Sequence, residues 1–334
     1  MNTVQQIQSK LRRRWRYSLS NMRGMLGMNE RVFRQARGAR MLVYHGVCKR
    51  DHTRFNSIFL QLQQFKAHLD FFKQYFHVVS LEEYYQQQFS TGKFNICITF
   101  DDGFTNNYNY VLPLMNSYRM PMTFFVTGIR QAGYDILWND CLCLAHKYGP
   151  DTLFLLKEKF YRDQRGWYIN VVGKLLRDEL RNYGFASKEQ LLHLIKPTIP
   201  AAIFQKEEEY WLQMTKDEIH QLSASPYATI GSHGYYHNDL AAIDAGDATD
   251  ELVRSKQFLQ EVTGKEITAV AFPYGSYSQE VVEAARAAGY NQLLAADFLN
   301  ATDTSDPALR ERFTVNPYIS LNNQMMAIIT GKYE

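Results

Sequence analysis

One short run, Ile96 to Asn107, constrains the fold more than any other part of the sequence. It reads I-C-I-T-F-D-D-G-F-T-N-N, an apolar stretch rich in β-branched and aromatic residues that ends in two carboxylates and a glycine. This pattern is typical of a buried strand that reaches the edge of a sheet. In parallel α/β folds that edge carries the chemistry, because loops there bring polar groups together over a rigid apolar floor. We therefore predict Asp101 and Asp102 at the carboxyl end of a strand.

Two adjacent carboxylates repel each other unless a cation or a shared proton lies between them. Neighbouring residues on an extended chain point to opposite sides, so the turn at Gly103 must redirect Asp101 and Asp102 if both serve one site. The alternative is that Asp-Asp-Gly only makes a turn, since Asp and Gly are common turn formers. The run by itself leaves a metal site and a plain turn both open.

Other apolar runs end in the same way, in polar residues or glycine. Strand, helix and strand follow one another at the pace of a parallel α/β barrel or a doubly wound sheet. Residues from about 130 to 225 interrupt this alternation with helical periodicity and few strand signals, so we predict a mostly helical insertion there. The runs that share the pattern are 41–47, 121–128, 228–237 and 267–275.

Charge is distributed unevenly along the 334 residues, whose formal total of +3 is too small to indicate nucleic-acid binding. Residues 1–40 hold ten arginines and lysines against one acid and carry +9, which leaves −6 for the remainder. Interleaved residues such as Trp15, Leu19 and Met22 are typical of a segment that lies on an anionic membrane surface or docks on an acidic partner. A solvated helix or a disordered arm is the alternative. We predict a basic amphipathic segment over 1–39 and one barrel-like unit over 40–334.

No stretch approaches the roughly 18 apolar residues of a membrane span, and the N-terminus lacks the continuous apolar region of a secretory signal. The four cysteines form no C-x-x-C pair, which favours reduced thiols in a reducing compartment. The sequence thus predicts a cytoplasmic protein, with peripheral attachment to the inner membrane face as an option.

His233 and His237 are spaced four residues apart directly after a predicted strand. With a carboxylate from elsewhere they would make a three-ligand set with open coordination positions, as catalytic zinc and related divalent sites require. Imidazole and carboxylate suit zinc, iron, cobalt or nickel better than calcium. A lone His-x-x-x-His is a weak signal, because histidines often only satisfy local hydrogen bonds.

Three motifs taken together are more specific. T-F-D-D-G at 99–103, G-S-H-G-Y-Y-H at 231–237 and F-P-Y-G at 272–275 occur in this order, each at the end of a predicted strand. The chain thereby resembles the polysaccharide deacetylase family, also called the NodB-homology domain or carbohydrate esterase family four. The resemblance extends from about residue 40 to 330 apart from the insertion. It implies a deformed (β/α) barrel of seven or eight strands and metal-dependent removal of N-acetyl groups from an amino sugar.

The resemblance also implies roles for individual residues. Asp101 corresponds to the general base of the family. Pro273 and Tyr274 correspond to the segment that lines the substrate groove, with the Tyr274 backbone N–H helping to bind the oxyanion. The expected cofactor is a divalent metal, most often zinc, with cobalt, nickel or iron as options. Its expected ligands are Asp102, His233 and His237.

Two departures from the family pattern concern the proton donor and the general base. Family members usually supply the acid from a Leu-x-x-His near the C-terminus, and no histidine follows His237 here. Leu42-Val43-Tyr44-His45 has that form at the other end of the chain, as if the last barrel strand were permuted to the front, so His45 is our candidate general acid. The alternative is a histidine that only structures the following turn. Ala271 stands where many members carry the arginine that pairs with the base, and the sequence does not show what replaces it.

We predict a hydrolase that deacetylates an N-acetylated sugar in a polysaccharide or in a lipid-linked precursor of a surface polysaccharide. The precursor fits the absence of an export signal and the basic N-terminal segment. Trp138, at the start of the insertion, could stack on a sugar ring or simply pack in a core. Two other functions stay open, a catalytically inactive carbohydrate-binding barrel and an amidase that acts on a non-sugar amide.

Overall fold

The computed structural model describes residues 15–55 and 57–333. Parallel strands form its central sheet, which curls into a nearly closed barrel with helices on the outside, as predicted. In chain order the strands are β1 (Ala39–Tyr44), β2 (Val47–Cys48), β3 (Leu60–Gln61), β4 (Phe76–Val79), β5 (Phe94–Phe100), β6 (Met122–Val126), β7 (Thr152–Leu155), β8 (Glu158–Arg162), β9 (Tyr168–Ile169), β10 (Ala228–Ser232), β11 (Ala269–Ala271), β12 (Gln292–Ala295), β13 (Leu309–Glu311) and β14 (Phe313–Thr314).

The last strands close the barrel. Its order is β13-β12-β11-β10-β6-β5-β1-β14, and β4 pairs with the first half of β5. Only Arg312 separates β13 from β14, so one extended run pairs with β12 on one side and with β1 on the other. Both strands are too short to give a clear alternating pattern in the sequence.

Helices surround the barrel, and α1 is described over residues 15–25. None of the helices within the described ranges is long and apolar enough to cross a membrane. The others are α2 (Glu30–Gln35), α3 (Leu62–Tyr75), α4 (Leu81–Tyr85), α5 (Leu112–Tyr118), α6 (Trp138–Tyr148), α7 (Leu176–Arg181), α8 (Phe185–Ile195), α9 (Ala201–Glu207), α10 (Lys216–Ser223), α11 (Ala245–Thr263), α12 (Gln279–Ala287) and α13 (Leu321–Thr330).

Aromatic and β-branched side chains explain why the central strands form where they do. Every residue of β5 is buried, as a strand covered on both faces requires. The rings of Phe100 and Phe124 stack at a centroid distance of 5.3 Å between neighbouring strands. Full burial of a side chain of this size stabilises the fold by roughly 1.5–3 kcal/mol. The motifs that follow these strands are therefore attached to the most rigid part of the molecule.

The insertion is mostly helical and has its own apolar core, which includes Trp138, Leu142 and Leu191. It also contains a small antiparallel sheet, β7-β8-β9, that the sequence analysis did not predict. Strand β7 alternates exposed and buried residues. Such a short, half-exposed strand is stabilised mainly by its cross-strand partners, which the local sequence does not reveal.

Candidate active site

Strand ends bring the predicted site residues together. Asp101 and Asp102 follow β5, His233 follows β10, and His45 follows β1. Because these strands are parallel neighbours in one barrel, their carboxyl ends meet at the same rim. They line a cavity of about 200 Å³ together with His237, Asn139, Tyr274 and Arg312.

Asp102, His233 and His237 lie close enough to share one ion. Their ligand atoms are all within 4.8 Å of one another, and all three residues are buried. Asp102 Oδ1 lies 3.4 Å from His233 Nε2 and 3.2 Å from His237 Nε2. Asp102 has φ of 74° and Gly103 has φ of 81°, a left-handed turn that points the second aspartate to the histidines. The turn at Gly103 therefore redirects the second aspartate, as the sequence analysis required for a shared site.

The chemistry of this donor set fits a divalent metal. His233 Nδ1 lies 2.8 Å from the Ala271 carbonyl oxygen. That oxygen can only accept, so in the neutral ring the proton is on Nδ1, and the Nε2 lone pair faces Asp102. His237 Nδ1 is buried and has no hydrogen-bond partner among the described residues, so nothing there competes for the ring. Two imidazoles and one carboxylate make an open three-ligand set that suits zinc and similar ions.

The pKa shifts of Asp102 and His237 favour the protonation states that metal ligands need, whereas the shift of His233 does not. Burial raises the pKa of Asp102, but hydrogen bonds from His233 and His237 and the charges of His237 and His45 outweigh it and hold the pKa well below the ordinary value. Burial lowers the pKa of His237, which favours the neutral ring that a metal needs. The pKa of His233 is raised, because the Asp101 and Asp102 carboxylates outweigh the effect of burial. A bound cation would displace that proton.

Asp101 is held by Arg312, which fills the place of the arginine that is missing at Ala271. Arg312 Nη1 donates to Asp101 Oδ1 at 2.7 Å and Nη2 donates to Oδ2 at 2.8 Å. Nη1 also donates to Thr99 Oγ1 at 3.2 Å. Both members of the pair are buried, and such a bidentate pair fixes the plane of the carboxylate. Burial raises the pKa of Asp101, but Arg312 and His233 outweigh it, so the pKa lies below the ordinary value.

His45 is held at the rim by the loop that follows β5. Asn107 Nδ2 donates to the His45 carbonyl oxygen at 2.9 Å, and the Val47 amide donates to Asn106 Oδ1 at 3.0 Å. A Cβ atom on Gly46 would lie 2.3 Å from the Phe59 ring, so only glycine fits this turn. Burial lowers the pKa of His45, although the two aspartates act in the opposite direction. The ring lines the same cavity as Asp101 and Asp102.

The proline-tyrosine segment lies beside the histidines. Tyr274 has φ of 61° and ψ of 4°, and its ring lies 4.9 Å from that of His237. A left-handed tyrosine costs energy, and such outliers cluster at functional sites. Tyr274 lines the cavity, whereas Pro273 is buried behind it, near Gly234.

Trp138 does not occupy the position expected of a sugar-stacking residue. Its ring is 1% exposed and belongs to the core of the insertion. Its indole N–H donates to the His237 carbonyl oxygen at 3.4 Å. The buried ring matches the alternative, packing in a core, because the helix that begins at this residue turns its first side chain inwards. The neighbouring Asn139 lines the cavity instead.

Sequence reasoning missed Arg312 and left the two asparagines unassigned. Arg312 lies in a run, 309–315, whose short strands gave no clear signal. An arginine among apolar residues near the end of the chain could have prompted a search for its partner. Asn106 and Asn107 belong to the motif run itself, but their contact with the His45 turn depends on β1 lying beside β5.

Comparison with known proteins accounts for this arrangement. The family model described as polysaccharide deacetylase matches residues 89–151 and 186–293, just over half of the chain. The chain belongs to the polysaccharide deacetylase family. Members of this family are hydrolases that act on N-acetyl amide bonds of glycans. The matched segments contain all three motifs and leave out the central part of the insertion, whereas His45 and Arg312 lie outside them.

Solved structures of other deacetylases show the same fold. A deacetylase from Streptococcus pyogenes in complex with acetate has a TM-score of 0.53 and 15% identity, over 87% of this chain and 97% of that one. A de-N-acetylase from Aggregatibacter actinomycetemcomitans has a TM-score of 0.53 and 14% identity, over 85% and 97%. A polysaccharide deacetylase from Bacillus cereus has a TM-score of 0.53 and 16% identity, over 87% and 68%. None of the curated proteins compared matches the chain.

Proposed function

We propose that this member of the family is a metal-dependent N-deacetylase that acts on an N-acetylated glycan. One observation carries the proposal. The three ligand atoms of Asp102, His233 and His237 converge within 4.8 Å, and Asp101, paired with Arg312, lies beside them in the same cavity. A barrel that only bound sugar would not require an ionised aspartate held in a fixed plane next to an open metal site.

The residues of the cavity divide the hydrolysis of an amide among them. Asp102, His233 and His237 would hold a divalent cation, whose chemistry would be to polarise the acetyl oxygen and lower the pKa of water. Asp101 accepts the proton of the attacking water. The Tyr274 backbone N–H donates to the oxygen that becomes negatively charged. The C–N bond then breaks, and acetate and a free amine are formed.

His45 is the proposed donor of the proton that the departing amine nitrogen needs. It lines the cavity from the end of β1, the neighbour of β5, which carries Asp102, and its backbone is fixed by Asn107. A general acid must be positioned within hydrogen-bond reach of the leaving group. The chain has no histidine after His237, so the C-terminal acid of other family members has no counterpart here.

The proposed substrate is an amino sugar in a glycan polymer or in a lipid-linked glycan precursor. The precursor is favoured by the basic N-terminal segment, through which we place the enzyme as a peripheral protein at an anionic inner membrane face. Zinc is the favoured metal because two imidazoles and a carboxylate form the site, and cobalt, nickel and iron share that preference.

Acetate release provides the direct test. Purified protein is incubated with N-acetylglucosamine oligomers and with lipid-linked N-acetylated sugars, with and without a chelator, after its metal content is measured by mass spectrometry. We expect acetate release that stops with chelator and returns with zinc. Asp101→Asn should abolish it, whereas Asp178→Asn, a control on an exposed aspartate of the insertion, should leave it unchanged. Metal binding without turnover on any acetylated sugar would contradict the proposal.

A further inference from the structure

Helix α1 exposes its apolar side chains. Exposed fractions are 73% for Trp15, 43% for Leu19, 53% for Met22 and 81% for Met25, and 70% for Leu26, which follows directly. At 100° per residue these side chains lie within about a third of the helix circumference. They form one continuous outward stripe, which we call the α1 apolar face. The flanking Arg16 and Arg23 are also exposed.

The opposite face of α1 is polar and contacts α13. Asn322 Nδ2 donates to the Ser20 carbonyl at 3.0 Å and to Ser20 Oγ at 2.9 Å. Asn323 Nδ2 donates to the Tyr17 carbonyl at 3.3 Å. Asn29 Nδ2 donates to the Ser20 carbonyl at 3.2 Å and to Asn322 Oδ1 at 2.8 Å. The helix is thus attached through hydrogen bonds rather than through its apolar side chains.

The close packing of α1 against α13 fixes the orientation of α1. A Cβ atom on Gly24 would lie 2.6 Å from Asn322 Oδ1, so the glycine permits the contact between the two helices. A helix on a globular protein normally turns its apolar stripe to the core and its polar face to water. In α1 the arrangement is inverted, because the apolar stripe is exposed and the polar face contacts α13. A contiguous exposed apolar stripe of this kind marks an interaction surface.

The charge around helix α1 indicates what kind of surface covers the α1 apolar face. Residues 1–40 carry +9 and the rest of the chain −6, and α1 belongs to this basic stretch, of which residues 1–14 lie outside the described residues. Apolar side chains flanked by arginines match a helix that lies in a lipid interface, where the arginines reach phosphates and the apolar residues enter the acyl boundary. We propose that the α1 apolar face binds the surface of an anionic lipid bilayer.

The contacts of α1 also join it to the C-terminal segment that follows the site cavity. Ser320, directly before α13, hydrogen-bonds Asn21. The chain reaches Ser320 within a few residues of Thr314, which lines the site cavity. Helix α1 is therefore attached to the segment that follows β14, in which Tyr318 and Leu321 are exposed. Bound through α1, the enzyme would hold its cavity near the membrane; that consequence rests on the proposed function with a lipid-linked glycan.

Vesicle sedimentation tests the proposal on the full chain. We expect binding to vesicles of phosphatidylcholine mixed with phosphatidylglycerol, weaker binding at high salt because screening reduces the attraction, and little binding to phosphatidylcholine alone. The triple variant Leu19→Gln, Met22→Gln, Leu26→Gln should bind at least about tenfold more weakly, since burial of these side chains in lipid drives insertion. Trp15 fluorescence should be quenched by brominated lipid, and a Trp15→Phe variant should lose that quenching.

A matched control uses apolar side chains that are equally exposed elsewhere. The triple variant Val171→Gln, Val172→Gln, Leu299→Gln replaces residues that are 84%, 73% and 61% exposed. It should bind vesicles like the wild type. Absence of binding to anionic vesicles, or equal loss in both triple variants, would overturn the proposal. A third outcome would also overturn it: the wild type does not bind vesicles but self-associates, and the α1 triple variant abolishes that self-association. The α1 apolar face would then bind protein and not lipid.

The outcome is independent of the catalytic proposal. Vesicle binding requires neither metal nor turnover, and the α1 residues are not in the cavity. On N-acetylglucosamine oligomers the α1 triple should therefore be as active as the wild type, whereas on lipid-linked sugar in vesicles it should be slower. Loss of vesicle binding with intact oligomer deacetylation affects only the membrane inference, and the reverse pattern affects only the proposed function.

Discussion

At the scale of single residues, the pairing with Arg312 determines how Asp101, the proposed base, is held. The deacetylase family commonly places an arginine at the position of Ala271, but here the cation comes from the run that closes the barrel. The guanidinium reaches both carboxylate oxygens, so it can fix the base and keep it ionised from a different strand. The carboxylate of Asp101 is thus still paired with an arginine, but this arginine comes from a different part of the chain.

Replacing Arg312 should shift the acidic limb of the pH profile. Arg312 lowers the pKa of Asp101, and the base acts only when ionised, so Arg312→Gln should move the fall of kcat/KM at low pH to higher pH. Arg312→Lys keeps a charge but loses the bidentate contact, so its shift should be smaller. Breaking a buried pair costs roughly 3–5 kcal/mol of stability, so folding is checked by thermal unfolding first. An unchanged acidic limb in a folded Arg312→Gln variant would exclude this role.

His45→Gln should lower kcat by about 10²–10⁴-fold, the range that general acids contribute. Only a protonated imidazole can donate, so the decline of activity at high pH should also disappear in the variant. Metal content should stay at the wild-type level, because Asp102, His233 and His237 are untouched. His77→Gln, at an exposed position, serves as the control. Near wild-type turnover in a metal-loaded His45→Gln protein would refute the assignment.

At the scale of elements, apolar residues that recur every three or four positions over 59–76 indicate a helix, and α3 spans Leu62–Tyr75. Its buried face includes His68, whose Nδ1 lies 3.0 Å from the Tyr44 hydroxyl of β1. This contact joins the helix to the strand that delivers His45. Periodicity predicted the helix, but it did not distinguish a buried histidine from an apolar residue on the same face.

His68 should make the fold sensitive to acid. Burial lowers its pKa from 6.5 to about 3, so the folded protein keeps it neutral while the unfolded chain takes up a proton. Its contribution to stability is complete above pH 6.5 and is lost as the pH falls towards 3. At pH 5 the loss is about 2 kcal/mol, at about 1.4 kcal/mol per pH unit.

Denaturant unfolding at pH 7 and pH 5 measures this effect. In His68→Gln the difference in free energy of unfolding between the two pH values should be about 2 kcal/mol smaller than in the wild type. His77→Gln should retain the wild-type difference. Equal differences in all three proteins would show that His68 titrates normally in the fold.

At the scale of the whole molecule, barrel closure links distant parts of the sequence into one site. Asp101 and Arg312 are 211 residues apart, and the two histidines proposed as metal ligands follow a strand beyond the insertion. A cation held by residues from β5 and β10 would therefore stabilise the barrel as a unit. Ligands that bind only the folded state raise the free energy of unfolding by mass action.

Zinc should raise the thermal unfolding temperature by several degrees. At a concentration 100-fold above the dissociation constant the gain is about 2.7 kcal/mol, and a chelator should reverse it. Asp102→Asn should abolish the increment, because a neutral amide replaces the charged carboxylate that lies beside both histidines. Asp101→Asn is the matched control, since it lies outside the ligand set and should retain the increment. Equal zinc effects in both variants would contradict the three-ligand site.

Local sequence patterns were enough to indicate which strands carry carboxylates or histidines at their carboxyl ends. Continuous apolar runs such as that of β5 must be buried, and the carboxylates or histidines that follow them must then lie at a rim of the sheet. For that reason the fold class, the family and the convergence of Asp102 with the two histidines could be predicted from local patterns. The ends of these strands are set by short-range preferences that the sequence states directly.

Only the tertiary structure decided which residues meet across the barrel. The pairing of Asp101 with Arg312, the burial of Trp138 and the outward apolar face of α1 depend on how distant segments pack. Arg312 reaches the base because its run lies between β12 and β1, and α1 is inverted because the asparagines of α13 bind its polar face. Such contacts join residues with no fixed spacing in sequence, so no local period encodes them.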